Sequence, residues 1–438
     1  MEYLLTITYT IFFIILIYKL KFFTIENFPK KFMIIAFILK ILSGIILIYI
    51  YTIYYKTRES ADVFKYFDDG KIIFSAAKNH NYIDYIKMIT GIDSNNEYLK
   101  QYYTACNFWY KNFNYNLYND NRIVIRFNAI AMIFSGGYLW VHTVFMSFLS
   151  FIGLTSIFKI FVKYLKNKKN LLFIGIFLLP STLLWTSGVI KEGILIFAVG
   201  QMLYHLIKIL ENGFKNFSIL WLFISLFILS ILKLYVFAAL LPGIIALIWI
   251  YKTNFKKIYI KFIITYIAFL LFGFNTQNIT PKYNATEIIA TKQHDFYNFI
   301  DTIKHVGSRY DIPKLKPTAS SILKNSPKAL YNAFVQPTPK HINSIITIPA
   351  AIENYLLILL LIISVIFNNY KNIKNKTLFL FSVSFVFNLY IITGLTTPVI
   401  GALVRYKVPA IPFLFIIILF LIDFNKIKSI NVFKYINK

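Results

Sequence analysis

The sequence predicts an all-α fold: a polytopic transmembrane helix bundle of about 11 spans, with two outer-face loop regions that contain short amphipathic helices. Three observations carry this. Of the 438 residues, 58% are hydrophobic and only 15% are charged, whereas a soluble chain carries about 25% charged residues. Several apolar runs approach or exceed the roughly 20 residues that cross a bilayer as a helix. They are apolar throughout and do not alternate, which excludes a closed barrel. Finally, the short basic loops all fall on one side when crossings are counted.

The first run, Tyr3 to Leu20, has no small-residue cleavage site. Its lysines, Lys19, Lys21, Lys30 and Lys31, come after it, whereas a signal peptide carries its charge ahead of the apolar core. It reads as a retained span with the N-terminus outside. The second span, Phe32 to Tyr55, holds Lys40, whose ammonium is expected to snorkel or to pack between helices. A polar region follows, from Lys56 to Asn121. It contains Glu59, Asp62, Asp68, Asp69, Asp84, Asp93, Glu97 and Asp120, from a total of 18 acids in the chain. Its aromatics, among them Tyr102, Tyr103, Phe108, Trp109 and Tyr110, are expected to be mostly interfacial belt residues. Ile123 to Phe134 has a helical period with polar interruptions, which predicts a helix in the interface plane.

The third span is Tyr138 to Tyr164, and the fourth, Leu171 to Trp185, is short and contains Pro180. After the break at Leu179–Gly193 a fifth span reaches Leu210. Ser218–Val236 and Phe237–Ile250 read as two spans divided by Lys233, and an eighth ends near Phe274. A second polar region, Asn275 to Asn343, carries Glu287, Asp295, Asp301 and Asp311. Its histidines, His294, His305 and His341, lack ligand-like spacing and read as loop residues. Ile346–Phe367, Leu378–Thr393 and Val408–Ile422 close the chain. With the Lys19–Lys31 loop in the cytoplasm, the loops at Lys163–Lys169, Lys208–Lys215, Lys252–Lys257 and Lys371–Lys376 and the C-terminal tail also fall inside. Both polar regions, the Lys191-Glu192 turn and the Arg405 turn fall outside. The organisation is then an extra N-terminal span and basic loop (1–31), a transmembrane module (32–275) containing the first outer loop (56–137), a second outer loop (276–345), and C-terminal helices with a basic cytoplasmic tail (346–438). The composition suggests an AT-rich bacterial genome, and the location a cytoplasmic membrane.

The net charge of +28 does not indicate nucleic acid, because the lysines are scattered through short loops and form no basic face. The single cysteine, Cys106, excludes a disulfide framework and a cysteine zinc site. No Gly-rich nucleotide loop is present, so a cytosolic nucleotide sugar is not the expected donor. Three features converge on the outer face. The stretch Asp62-Val-Phe-Lys-Tyr-Phe-Asp-Asp-Gly70 supplies candidate catalytic carboxylates, with Asp62 first, Asp69 second and Asp68 third. If the stretch is helical, Asp62 and Asp69 share a face. The bland alternative is that Asp62 caps a helix beginning at Val63. Lys191 and Glu192 follow a Pro-broken span, where charge at shallow depth calls for a water-filled cavity; an ordinary ion-paired loop is the alternative. Arg405-Tyr-Lys407 precedes Pro409 and Pro412. Arg405 can fork onto a phosphate, and Lys407 adds point charge; the alternative is an aromatic and basic interface anchor.

Taken in order, these residues resemble the GT-C superfamily of integral membrane glycosyltransferases, the group of protein mannosyltransferases and lipid A aminoarabinose transferases. The matching features are a span followed by an acidic motif at the start of a long outer loop (Asp62–Gly70), a Pro-containing helix end and turn (Leu179–Trp185, Lys191-Glu192), and an Arg-Tyr segment leading to prolines (Arg405-Tyr406, Pro409–Pro412). The extra first span departs from the pattern, and a clean Asp-Glu pair is absent at Asp62. The resemblance implies transfer on the outer face from a polyprenyl-phosphate-linked sugar to a glycan, lipid or protein acceptor. Lys191, Arg405 and Lys407 would hold the donor phosphate, and Glu192 and Tyr406 would contact substrate. Membrane lipid is the surrounding partner. No cofactor is certain, and a divalent metal ion is left open. Two other readings are an O-antigen or capsule polysaccharide polymerase, which relies more on arginine-rich outer loops, and a lipid or sugar transporter, which predicts internal repeats.

Overall fold

The computed structural model describes residues 1–55, 57–110, 118–253, 256–279, 284–302, 309–342 and 347–428. No strand occurs among the described residues. In chain order the helices are α1 (Glu2–Lys19), α2 (Lys30–Tyr54), α3 (Asp62–Lys78), α4 (Tyr82–Thr90), α5 (Glu97–Ala105), α6 (Asn121–Ser135), α7 (Leu139–Val162), α8 (Lys169–Phe173), α9 (Pro180–Trp185), α10 (Lys191–Asn212), α11 (Asn216–Leu232), α12 (Leu234–Lys252), α13 (Ile258–Phe274), α14 (Thr276–Ile279), α15 (Ala285–Thr302), α16 (Ala319–Val335), α17 (Thr347–Ile366), α18 (Lys376–Thr396), α19 (Ile400–Lys407), α20 (Ile411–Leu421) and α21 (Phe424–Lys428).

Eight of these stretches are long and apolar enough to cross a membrane: α1, α2, α7, α10, α12, α17, α18 and the α19–α20 pair. Helices α11 and α13 are apolar but shorter. The protein is a membrane-embedded bundle of helices. Its apolar stripes follow from the helical period: α1 exposes Leu4, Ile7, Ile11 and Ile15, an uncovered apolar row at three- and four-residue steps. Between α8 and α9 the chain makes a π-helical turn, Ile174–Leu178, and then Leu179 is extended. Pro180 dictates the break, because it has no N–H and pushes the preceding residue out of the helical region. Lys233 interrupts the helix between α11 and α12. The later boundary expected near Val236 moves to this lysine, and Pro242 lies inside α12.

The chain divides into two compact units. The first comprises Met1–Lys159, Thr182–Leu206 and Asn216–Leu234. Its polar region folds into α3 to α6, and α3 packs along α6. Gly70 makes that approach close: a Cβ there would stand 2.5 Å from Asn128 Cβ. Val124, Ile125, Ala129 and Met132 of α6 are buried, while Ile130, Ile133 and Phe134 are exposed, so α6 packs one face inward and leaves an apolar row uncovered. His142 of α7 locks it in place, with one ring nitrogen 2.7 Å from Asn128 Oδ1 and the other 2.7 Å from Ser135 Oγ. The aromatics are corrected too. Tyr103 and Trp109 are buried and stacked at 4.2 Å, with Arg122 and Arg126 against the indole; they are a small core, not a belt. In the spans, α7 and α10 cross at Gly153 and Gly200, where any Cβ would meet the opposing backbone within 2.5 Å, the small-residue contact typical of membrane helices. Lys40 is fully buried and donates to Thr186 Oγ1 at 2.6 Å, so it packs between helices and does not snorkel.

The second unit comprises Ile160–Ser181, Ile207–Lys215 and Tyr235–Lys438. Here α18 is central and packs against α15, α16 and α20. The second polar region is largely helical: His294 lies on α15, not in a loop, and faces Leu315 O at 3.3 Å. His341 lies in a short 3₁₀ turn, and His305 lies outside the described residues. Gln293 bridges the region to α18, donating to Leu395 O and to Pro313 O.

Candidate functional site

Helix α3 begins where the chain leaves α2. Ala61 is its N-cap, with no side-chain capping bond. Asp62 therefore does not cap the helix; it occupies the first turn, where the positive end of the helix dipole favours a carboxylate. At about 100° per residue, Asp62, Tyr66 and Asp69 share one face of α3. Asp68 lies outside that arc and is held by Arg58, whose Nε and Nη2 donate to its two oxygens at 2.7 and 2.8 Å.

Asp69 is fully buried and accepts the backbone N–H groups of Asn107 and Phe108, both at 2.7 Å. Burial raises its pKa above the ordinary carboxylate range, and the two amides hold back part of that rise. It ties the segment after α5 to α3. Lys65 lies between the acids in sequence and within electrostatic reach of Asp62, Asp69 and Glu59. Its partial burial lowers its pKa, and these carboxylates oppose that. Its ammonium sits 4.1 Å from the Phe108 ring.

Lys191 opens α10 and is buried, as is Glu192. The Lys191 ammonium lies 2.6 Å from Asp120 Oδ2 and 5.8 Å from the centre of the Tyr66 ring. Lys233 reaches the same carboxylate oxygen at 3.4 Å. Tyr66 donates to Asn121 Oδ1 at 3.1 Å. The carboxylate face of α3 is thus joined through Tyr66 to a buried cluster of two ammoniums and a carboxylate. Sequence reading singled out Lys191 but gave no role to Asp120, Lys233, Lys65, Tyr66 or Arg58. Some signals were present: Asp120 sits in the polar run Asn119–Arg122 ahead of α6, and Lys233 splits two apolar runs.

Arg405, Tyr406 and Lys407 fall in the second unit, on α19. Tyr406 packs against the rings of Tyr235 and Phe296 at 6.0 and 6.2 Å. Lys407 is buried, and its ammonium donates to Ala333 O, Gln336 O and Asn354 Oδ1 at 2.7, 3.0 and 3.2 Å. An ammonium has three donors, so Lys407 has committed all of them to holding α19 against the end of α16. Arg405 is half-buried. Glu353 of α17, to which the sequence reading gave no role, is buried nearby in the same unit and accepts the Ser181 N–H at 2.6 Å. Among the described residues, no three His, Cys, Asp or Glu side chains group as metal ligands.

A protein-family model described as a protein of unknown function (DUF2628) matches residues 86–192, a stretch that includes Asp120, Lys191 and Glu192. No curated protein and no solved structure matches the chain.

Proposed function

We propose that this protein is a GT-C-like membrane glycosyltransferase that transfers a sugar from a polyprenyl-phosphate-linked donor to a glycan, lipid or protein acceptor on the outer face of a bacterial cytoplasmic membrane. The observation that carries the reading is the approach of Lys191, paired with Asp120 beside Lys233, to Tyr66, which shares a face of α3 with Asp62 and Asp69. About 11 crossings follow when α11, α13 and the broken α8–α9 segment are added to the eight long spans. The basic loops then lie in the cytoplasm, with the N-terminus outside and the tail inside.

Asp62 is the base in this reading: it opens α3, on the face that also carries Tyr66 and Asp69. The acceptor hydroxyl gives its proton to Asp62 as its oxygen bonds to the anomeric carbon. The bond from that carbon to the donor phosphate oxygen breaks, and polyprenyl phosphate departs with the electron pair. Cations stabilise the charge that grows on it. Lys191 suits this task because Lys233 also pairs with Asp120. Lys191 can therefore turn to a phosphate without stranding the carboxylate. Within the second unit, Arg405 is a separate candidate for binding a phosphate, by its bidentate fork.

The test is transfer from a synthetic polyprenyl-phosphate hexose by the protein reconstituted in liposomes. Asp62→Asn should keep the wild-type melting temperature and lose roughly 10²–10⁴-fold in turnover. Near-normal transfer by that variant removes Asp62 from the chemistry. A wild-type protein inert toward polyprenyl-phosphate donors of several sugars counts against the whole reading.

A further inference from the structure

The opposite face of α3 lines a different space. Counting 100° per residue, Phe64, Phe67 and Lys71 point about half a turn away from Asp62, Tyr66 and Asp69. They form one wall of a cavity of about 650 Å³, within the range of small-molecule sites. Its other walls come from the end of α2, the start of α1 and the α6–α7 turn, and include Glu2, Thr52, Arg58, Tyr138 and Trp140. The cavity lies where α1, α2 and α7 meet the first polar region. Ile48 and Leu139 give it apolar lining.

Its charges are distinctive. Arg58 is neutralised by Asp68. Glu2 spends one carboxylate oxygen on the Trp140 N–H, at 3.3 Å, and its other oxygen has no partner among the described residues. Lys71 has no carboxylate within ion-pair distance among the described residues. Two opposite charges therefore line one cavity without pairing with each other. A neutral sugar would leave both uncompensated, and an anionic headgroup would meet Glu2. A zwitterion satisfies both, with its negative group at Lys71 and its positive group at Glu2 beside the rings of Tyr138 and Trp140, which favour a cation.

We infer that this cavity is a second site, distinct from the carboxylate face of α3, that takes the headgroup of a zwitterionic phospholipid with a primary ammonium. The phosphate lies at Lys71, beside the Arg58–Asp68 pair, and the ammonium donates a hydrogen bond to Glu2. The acyl chains leave along the apolar stripe of α1. The site does not depend on the glycosyltransferase reading. A primary ammonium is specified because a quaternary one has no N–H to give to Glu2.

The experiment is native mass spectrometry of the full chain released from nanodiscs containing equal amounts of phosphatidylethanolamine, phosphatidylcholine and phosphatidylglycerol. The most tightly retained lipid should be phosphatidylethanolamine, preferred about tenfold, which is about 1.4 kcal/mol. Glu2→Gln should abolish its advantage over both other lipids, and Lys71→Gln should lower retention of all three. Retention of phosphatidylglycerol above phosphatidylethanolamine, or no preference in the wild type, overturns the proposal. So does a preference that survives both substitutions. Wild-type protein also carries the test without variants: soluble O-phosphoethanolamine should compete only weakly. Competition as strong as that of the lipid would assign the site to a free metabolite and overturn the lipid assignment.

Discussion

Lys191 and Asp120 form a buried ion pair 2.6 Å long, and Lys233 shares the same carboxylate oxygen at 3.4 Å. The three residues are not equivalent. Breaking a buried pair by removing one partner costs about 3–5 kcal/mol when the remaining charge is left uncompensated. Asp120→Asn leaves two ammoniums facing each other and should cost about that much. Lys191→Gln leaves Asp120 with Lys233 and should cost about 1–2 kcal/mol, within the ordinary range of a lost hydrogen-bonded partner. Thermal unfolding in detergent orders the two variants. An Asp120→Asn protein as stable as Lys191→Gln would show that Asp120 is not the keystone of the cluster.

The second unit offers a parallel contrast between Arg405 and Lys407. Lys407→Ala removes an ammonium that satisfies three buried oxygens, each costing about 1–3 kcal/mol if left unsatisfied. Its expected effect is on stability, with donor affinity unchanged in the folded fraction. Arg405→Lys keeps the charge and loses the fork; it should weaken donor binding at constant melting temperature. Isothermal binding of a polyprenyl-phosphate donor, alongside melting, separates the two. Weaker donor binding by a stably folded Lys407→Ala protein would return Lys407 to the phosphate site.

Orientation is tested by reporter fusions. Those within Lys166–Asn170, Lys252–Lys257 and the C-terminal tail should report cytoplasm, and those within Asn79–Asn96 and Thr291–Asp311 the opposite side. An external tail would reverse the crossing count and place the α3 carboxylates in the cytoplasm.

Much of the bundle was legible because the lipid solvent imposes its constraint locally. Each span must be apolar along its own length, and breaks fall at Pro180 and Lys233, where a local rule forbids or penalises continuity. The face shared by Asp62 and Asp69 was likewise readable from a seven-residue spacing. Pairings between distant segments were not. Asp69 finds amides 38 and 39 residues away, Lys191 finds a carboxylate 71 residues away, and Lys407 finds carbonyls 71 and 74 residues away. No period or motif encodes such meetings. The aromatics of the first polar region show the same limit: composition put rings near a membrane edge, and only packing made Trp109 and Tyr103 a stacked core. Glu353 gave no local sign at all, since one acid near the start of an apolar run reads as a span boundary.

Gly70 closes the acidic stretch and tests the α3–α6 contact. The Cβ of Gly70→Ala would overlap Asn128 Cβ at 2.5 Å and stand 3.0 Å from Ala129 N. Neither atom is the far end of a flexible chain, so the helices must part. Such overpacking costs about 1–3 kcal/mol, against the gain of under 1 kcal/mol that Ala brings to a helix interior in place of Gly. A Gly70→Ala protein that melts at or above the wild-type temperature would mean that α3 and α6 are not in contact there.

Asp69 remains, the second of the carboxylates that sequence reading offered as a base. Its two oxygens each accept one backbone N–H, and it is fully buried, so it is placed to anchor and not to exchange protons with an acceptor. Asn is nearly isosteric but has only one acceptor oxygen. In Asp69→Asn the side-chain NH₂ must face one of the two amide donors, which loses a charge-assisted bond and leaves a buried donor unsatisfied. The expected cost is about 1–3 kcal/mol. Transfer should fall only as far as the folded fraction falls, and stabilising the variant by lower temperature should restore it. Asp62→Asn should do the reverse, keeping its fold and losing turnover at every temperature. Measuring melting and turnover for both variants across a series of temperatures below the melting transition distinguishes them. An Asp69→Asn protein that is fully folded and inactive would move the base from Asp62 to Asp69, and with it the acceptor side of the site.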